Sequence, residues 1–272
     1  MTADSDRVGV TLPGETLPPG TSKSSTPRPT TDGHLLGGRV SYIQLATGFR
    51  SGIEPVLLAA AIAARTGERV VEGGTGAGAA LLCLAARVPG VQGLGVEREP
   101  ALAALAERNA QANGATGLAF LAADVTALPE RGRFDHAMAN PPYHPPHGTA
   151  SPEPEREQAK RAGQGLLAAW VRALSVPLRH RGTLTLILPA SSLPECLTVL
   201  AAAYCPADSV LPLWPKTARP AKLVLVRGIK GGRSPLRLLP GLVLHRADGG
   251  YTAEADAILR DGAALGFDKP VP

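Results

Sequence analysis

Asn140-Pro141-Pro142-Tyr143 is the stretch of this chain whose residue types most directly suggest chemistry, and it follows an apolar run, Phe134–Ala139, that reads as a strand. The side-chain carbonyl of Asn140 and the backbone carbonyl of Pro141 can each accept a hydrogen bond from a single NH2 group. Two such acceptors aim a nitrogen and stabilise positive charge that develops on it. The prolines fix the backbone and remove competing N–H donors. Tyr143 offers a planar face against which a base or an amide can stack. An exocyclic amine of a nucleobase, or the amide of glutamine, is a poor nucleophile because its lone pair is delocalised, so it needs orientation more than a strong base. Attack on the methyl group of a sulfonium is the reaction such an arrangement serves.

A second candidate is glycine-rich. The strand Arg69–Glu72 runs into Gly73-Gly74-Thr75-Gly76-Ala77-Gly78, and a helix follows. Glycines there allow a sharp turn and the close approach of a ligand to the main chain. Gly74, Gly76 and Ala79 also satisfy the dinucleotide pattern G-x-G-x-x-G/A. Glu97, at the end of the next strand, can hold a ribose diol, and Asp124 follows the third strand, where a contact to an adenine amino group is common. The loop alone therefore leaves a nicotinamide nucleotide and S-adenosylmethionine both open. No Tyr-Lys or His-Asp arrangement for hydride transfer accompanies it, and the Asn140 motif selects S-adenosylmethionine. A metal is not expected. His144 and His147 are separated by Pro145 and Pro146, and Cys83, Cys196 and Cys205 form no CxxC pair.

These residues need a scaffold that brings strand ends together. Strands are expected at Arg69–Glu72, Gly93–Glu97, Leu118–Ala122, Phe134–Ala139, Thr183–Leu188, Ser209–Leu213 and Lys222–Val226, and helices at Ile53–Ala64, Gly78–Arg87, Pro100–Ala112, Glu157–Ser175 and Leu193–Ala203. Short strands alternating with helices imply parallel βαβ units. The expected fold is α/β: a doubly wound, mostly parallel, Rossmann-like sheet of seven strands. Residues 1–31, rich in Pro, Thr, Ser and Gly, read as a disordered tail, and 32–272 as one domain with a short N-terminal strand pair and a C-terminal extension.

With 44% hydrophobic and 19% charged residues the composition is that of a globular protein; no apolar run is long enough to span a membrane and no signal pattern opens the chain, so a cytoplasmic location is expected. The net charge of +5 is uneven: Arg156 to Arg246 holds 14 Lys or Arg against Glu157, Glu195 and Asp208, or +11. Such a segment attracts polyanions, of which nucleic acid is the commonest.

The sequence resembles the bacterial tRNA(Val) adenine-37 N6-methyltransferases, class I enzymes with an Asn-Pro-Pro-Tyr site. The resemblance runs from about Asp32 to the C-terminal end and rests on Gln44 to Leu58, the glycine loop, Val96-Glu97-Arg98-Glu99, Ala123-Asp124, the Asn140 motif, Arg156-Glu157-Gln158-Ala159-Lys160 and the tail around Leu242 to Ala255. It implies that Glu72, Gly74, Thr75, Gly76, Gly78, Glu97, Arg98, Asp124 and Asn140 line S-adenosylmethionine. Asn140, Pro141, Pro142 and Tyr143 would hold an adenine of tRNA, giving N6-methyladenosine in tRNA processing, with the basic segment as the RNA-binding surface. Two alternatives stay open: a protein-glutamine N5-methyltransferase of the release-factor type, which uses the same tetrapeptide, and a non-catalytic RNA-binding module on the same fold.

Overall fold

The computed structural model describes residues 29–47, 51–128, 133–142 and 165–267. Strands β1 (Thr30–Leu35) and β2 (Val40–Leu45) form an antiparallel pair, the strand pair expected at the start of the domain. The main sheet holds β3 (Arg69–Gly73), β4 (Gln92–Glu97), β5 (Leu118–Ala122), β6 (Phe134–Ala139), β7 (Leu178–Pro189), β8 (Ala207–Lys216) and β9 (Leu223–Ile229), with β10 (Arg237–Leu238) and β11 (Leu242–His245) at its far side. Helices are α1 (Glu54–Ala61), α2 (Ala79–Arg87), α3 (Pro100–Ala112), α4 (described over 165–175), α5 (Leu193–Ala202) and α6 (Ala253–Asp261).

The strand order β8-β9-β7-β6-β3-β4-β5 is parallel from β7 to β5, and β9 runs antiparallel to both β7 and β8. This is the doubly wound α/β sheet expected, with a single reversed strand. Two strands beyond the expected seven, β10 and β11, pair with β8 and bring the sheet to nine.

Both faces of the sheet are covered, which is why its central strands β3 and β6 are buried almost without a break. Val70 and Val71 of β3 are both fully buried, but they point opposite ways. Val70 joins the core shared with α1, α2, α3 and α6, while Val71 joins the core under α4 and α5. Truncating a fully buried leucine in either layer, such as Leu81 or Leu184, is expected to cost about 2–5 kcal/mol.

Helix α1 is shorter than the sequence suggests, ending at Ala61 rather than Ala64. The cause is Arg87, whose guanidinium donates to the carbonyls of Ala59 and Ile62 and so takes the place of another helical turn. Helix α3 has its expected limits, with Pro100 in its first turn and Gly114 at φ +62° just beyond Asn113.

The first strand pair is attached through side chains. Asn109 and Asn113 lie one turn apart on α3 and bond the main chain of β2 at Ile43 and Ser41. A two-residue repeat along a strand spans about 6.7 Å, and four residues along a helix rise about 6 Å. Two asparagines at that spacing can therefore stand in for a partner strand.

Candidate active site

Strand register assembles the site. Gly73 at the end of β3 pairs with Val96 on β4 and with Ala139 on β6, and Glu97 pairs with Ala122 on β5. Neighbouring strands lie about 4.8 Å apart. Asn140, the glycine loop, Glu97 and the turn bearing Asp124 therefore follow one another along a single edge. The chain winds to one side of β3 through β4 and β5, then returns to the other side through β6 and β7. That reversal leaves a crevice outside the carboxyl ends of β3 and β6, where open α/β sheets bind ligands.

The loop takes its shape from its glycines. Gly74, Gly76 and Gly78 have φ of +66°, +56° and +88°, values that side chains disfavour. The N–H groups of Gly74 and Thr75 both donate to the Val96 carbonyl, at 2.8 and 3.2 Å, which folds the loop toward β4. A Cβ on Gly74 would fall 2.5 Å from the Trp170 ring of α4, and one on Gly78 would fall 3.2 Å from Ala106 of α3. At Gly76 a Cβ would meet nothing within 4 Å. The loop is thus packed at both ends and open in the middle, as a ligand approaching the main chain requires.

Glu72 and Thr75 lie beneath the loop. They are 4% and 5% exposed, and the Thr75 hydroxyl donates to the Glu72 carboxyl at 2.6 Å. The backbone N–H of Leu81, in the first turn of α2, also bonds Glu72. Burial pushes the Glu72 carboxyl up to about 8, against the lowering effect of those two bonds. Glu72 therefore fastens strand, loop and helix together from below as a neutral acid at pH 7.

Glu97 faces the loop from β4. Its Oε2 accepts from Gly76 N–H at 3.0 Å and its Oε1 from Glu99 N–H at 2.9 Å. Burial raises its pKa, and the bonds from Gly76 and Arg98 N–H, with the Arg98 charge, oppose that rise. Asp124 is exposed. The Thr126 hydroxyl and N–H bond its Oδ1 at 2.7 and 2.8 Å and hold its carboxyl below the usual range, with a smaller push from Arg98. Two carboxylates thus flank the exposed Arg98. A ribose diol offers two O–H donors for Glu97, and an adenine amino group offers N–H donors for Asp124. With the open glycine at 76 beside Glu97, the residues present fit the nucleoside portion of S-adenosylmethionine.

Asn140 is half-buried, Pro141 buried and Pro142 exposed. Tyr143, His144, His147 and the stretch from Arg156 to Lys160 lie outside the described residues. Among the described residues no group of three His, Cys, Asp or Glu is placed to hold a metal, and no helix is long and apolar enough to cross a membrane. Cys83, Cys196 and Cys205 are buried free thiols, each pushed up to about 12, chiefly by burial. Sequence reasoning missed Trp170 against Gly74 and Asn109, which donates to the Ala77 carbonyl of the loop at 2.9 Å. Neither sits in a motif; the paired asparagines one turn apart were the only visible signal.

Among the described residues the basic segment does not form one patch. Lys216, Arg219, Lys222 and Arg246 lie at the same end of the strands as Asn140, while Arg179, Arg181, Lys230, Arg233 and Arg237 lie at the opposite end. Arg227 is buried against Asp208 at 2.7 Å.

Residues 54–173 match the family model described as the methyltransferase small domain. Over 122 residues the chain is 39% identical to the release factor glutamine methyltransferase of Rhodospirillum rubrum, covering 41% of this chain and 38% of that one. Over 94 residues it is 38% identical to the enzyme of the same name from Geobacter sulfurreducens, covering 34% of this chain and 33% of that one. The chain thus spans little more than a third of the length of these curated relatives. The structure of a protein from Agrobacterium tumefaciens, described as a predicted O-methyltransferase, superimposes with a TM-score of 0.65 at 26% identity, over 79% of this chain and 99% of that one. Strand order, the reversed β9 and the matched segment together give this chain the class I methyltransferase fold, whose cofactor is S-adenosylmethionine.

Proposed function

We propose that the chain is an S-adenosylmethionine-dependent N-methyltransferase whose acceptor is a planar NH2 group presented to Asn140. The observation that carries this reading is the pairing of Gly73 with Ala139, which sets Asn140 one strand away from the glycine loop. The cofactor supplies an electrophilic methyl group on a sulfonium. Glu97 and Asp124 hold its nucleoside end, and the open main chain at Gly76 gives it room. The side-chain carbonyl of Asn140 and the carbonyl of Pro141 accept the two N–H bonds of the acceptor. Those bonds fix where the nitrogen lone pair points and stabilise its growing positive charge, so no strong base is needed. The excess proton leaves to solvent afterwards.

Of the acceptors, the comparisons favour the amide of a protein glutamine, since both curated relatives are named for that reaction. One observation supports a second acceptor, N6 of an adenine in tRNA. Lys222, Lys216 and Arg246 continue the Asn140 edge across β9, β8 and β11, roughly 10–20 Å from Asn140 at the usual strand spacing. A basic rim at that reach suits the phosphates of an RNA. The family resemblance seen in the sequence points the same way.

The test is methyl transfer from labelled cofactor to a release-factor protein and, separately, to unmodified tRNA, read by mass spectrometry of peptides and of nucleosides. N5-methylglutamine upholds the first acceptor and N6-methyladenosine the second. Label in neither, or full activity in Asn140→Ala, ends the proposal. Failure to bind S-adenosylmethionine by calorimetry revives the reading as a non-catalytic binding module.

A further inference from the structure

Asn109 is fully buried, and both of its amide N–H donors are used. Its Oδ1 accepts from Ile43 N–H at 3.0 Å, and its Nδ2 donates to the Ile43 carbonyl at 2.8 Å and to the Ala77 carbonyl at 2.9 Å. A primary amide has two donor hydrogens, so both are committed. One goes to β2 and the other to the glycine loop, between the positive-φ residues Gly76 and Gly78. One turn earlier on the same helix, the Cβ of Ala106 is the atom nearest to a Cβ built on Gly78. Helix α3 thus supports the loop at two successive turns, by packing and by a hydrogen bond.

Asn113 provides an internal control. It repeats the pattern one turn later: its Oδ1 accepts from Ser41 N–H at 2.9 Å and its Nδ2 donates to the Ser41 carbonyl at 2.7 Å. Its remaining bond goes to the Asn109 carbonyl within α3, at 2.7 Å, and not to the loop. The two asparagines hold the same strand, and only one of them also holds the loop.

We propose that Asn109 is a positioning residue for the cofactor, coupling β2 to the glycine loop through the Ala77 carbonyl. This rests on the reading of the loop as the S-adenosylmethionine site. Fixing the Ala77 carbonyl toward α3 sets the plane of the Ala77–Gly78 peptide, and that plane constrains how the flanking Gly76 and Gly78 present their main chain. Any change that loosens β2 then loosens the loop, and by reciprocity cofactor held in the loop tightens β2.

Asn109→Ala and Asn113→Ala separate this role from simple attachment of the strand. In full-length protein without ligand, amide exchange over residues 73–82 should quicken about tenfold in Asn109→Ala and change less than about twofold in Asn113→Ala. S-adenosylmethionine affinity by calorimetry should weaken about tenfold in the first variant and less than about twofold in the second. Equal effects of the two variants, or none in either, overturn the proposal. Should Asn109→Ala fail to fold, the wild-type protein decides. Cofactor should slow exchange of Ile43 N–H several-fold more than that of Ser41 N–H, and equal slowing overturns the coupling. A wild type that binds no cofactor removes the reading of the loop, while the ligand-free exchange measurement still judges Asn109.

Discussion

The two halves of the strand edge that carries Asn140 are built for opposite charge. On the β4–β5 side, Glu97 offers a carboxylate bonded to the glycine loop at Gly76, and Asp124 offers another just beyond the end of β5. On the β9–β8–β11 side, Lys222, Lys216, Arg219 and Arg246 offer cations, with Asp248 as the acid paired to Arg246 at 3.1 Å. The first half works at hydrogen-bond distance, on atoms fixed by backbone and burial. The second works through Coulomb forces at an exposed surface, which salt screens over about 8–10 Å. Affinity for the cofactor and attraction of a large acceptor should therefore respond to different variables. Asn140 stands at the junction.

The largest effect should come at that junction. Asn140→Ala is expected to lower kcat about 100- to 1000-fold, the usual cost of one stabilising acceptor or donor, while cofactor affinity measured by calorimetry moves less than about threefold. Activity within tenfold of wild type would detach the chemistry from the junction.

On the cofactor half, Gly74→Ala places a methyl group 2.5 Å from the Trp170 ring at φ +66°. Destabilisation of about 2–4 kcal/mol in urea unfolding is expected from left-handed strain and overpacking together. Adding Trp170→Leu should return only the overpacking part. Complete recovery would show that the backbone carries no strain there.

Glu72 gives the same half a pH dependence. Its folded pKa of about 8 lies above the usual carboxylate value of 4.5, so between those limits the folded chain holds a proton that the unfolded chain has lost. Its contribution to stability is therefore fully present below pH 4.5 and is lost as the pH rises to about 8, by at most about 1.4 kcal/mol per unit. Relative to Glu72→Gln, the wild type should lose stability between pH 5 and pH 8 in thermal melts. A constant difference across that range would mean that Glu72 is ionised in the fold.

The smallest effect belongs to the basic half. Lys222→Glu with Arg246→Glu should raise the acceptor KM several-fold and leave cofactor affinity unchanged. If the acceptor is RNA, the slope of log affinity against log salt should also fall by about one for each phosphate that is no longer neutralised. With a protein-glutamine acceptor the slope should stay shallow in both proteins. This is the sharpest way to choose between the two acceptors from the enzyme side.

The two halves also differed in how far the sequence disclosed them. The loop, Glu97, Asp124 and Asn140 each follow an apolar strand within a residue or two, and parallel pairing puts all such ends on one edge. The limits of α3 were readable because Pro100 and Asn113-Gly114 mark them locally. Trp170 and Asn109 were not readable, since their partners lie far away in the chain: Ile43 is 66 residues from Asn109. The charge of the basic segment was countable but not placeable, because β8 and β9 run in opposite senses and send neighbouring residues to opposite ends. Strands β10 and β11 are too short to show a period. Helix α6 did carry local signals in its Thr252 cap and in Gly262 at φ +69°, although no helix was expected there.

The contact between Trp170 and Gly74 has an optical consequence. The chain holds two tryptophans, and the other, Trp214, lies on β8 with its indole N–H bonded to the Pro240 carbonyl at 2.9 Å. Four strand steps along the sheet separate β8 from β3. In a Trp214→Phe background the remaining indole emits from beside Gly74 of the loop. Its fluorescence should then follow the arrival and departure of the cofactor in real time, without any label attached to the protein.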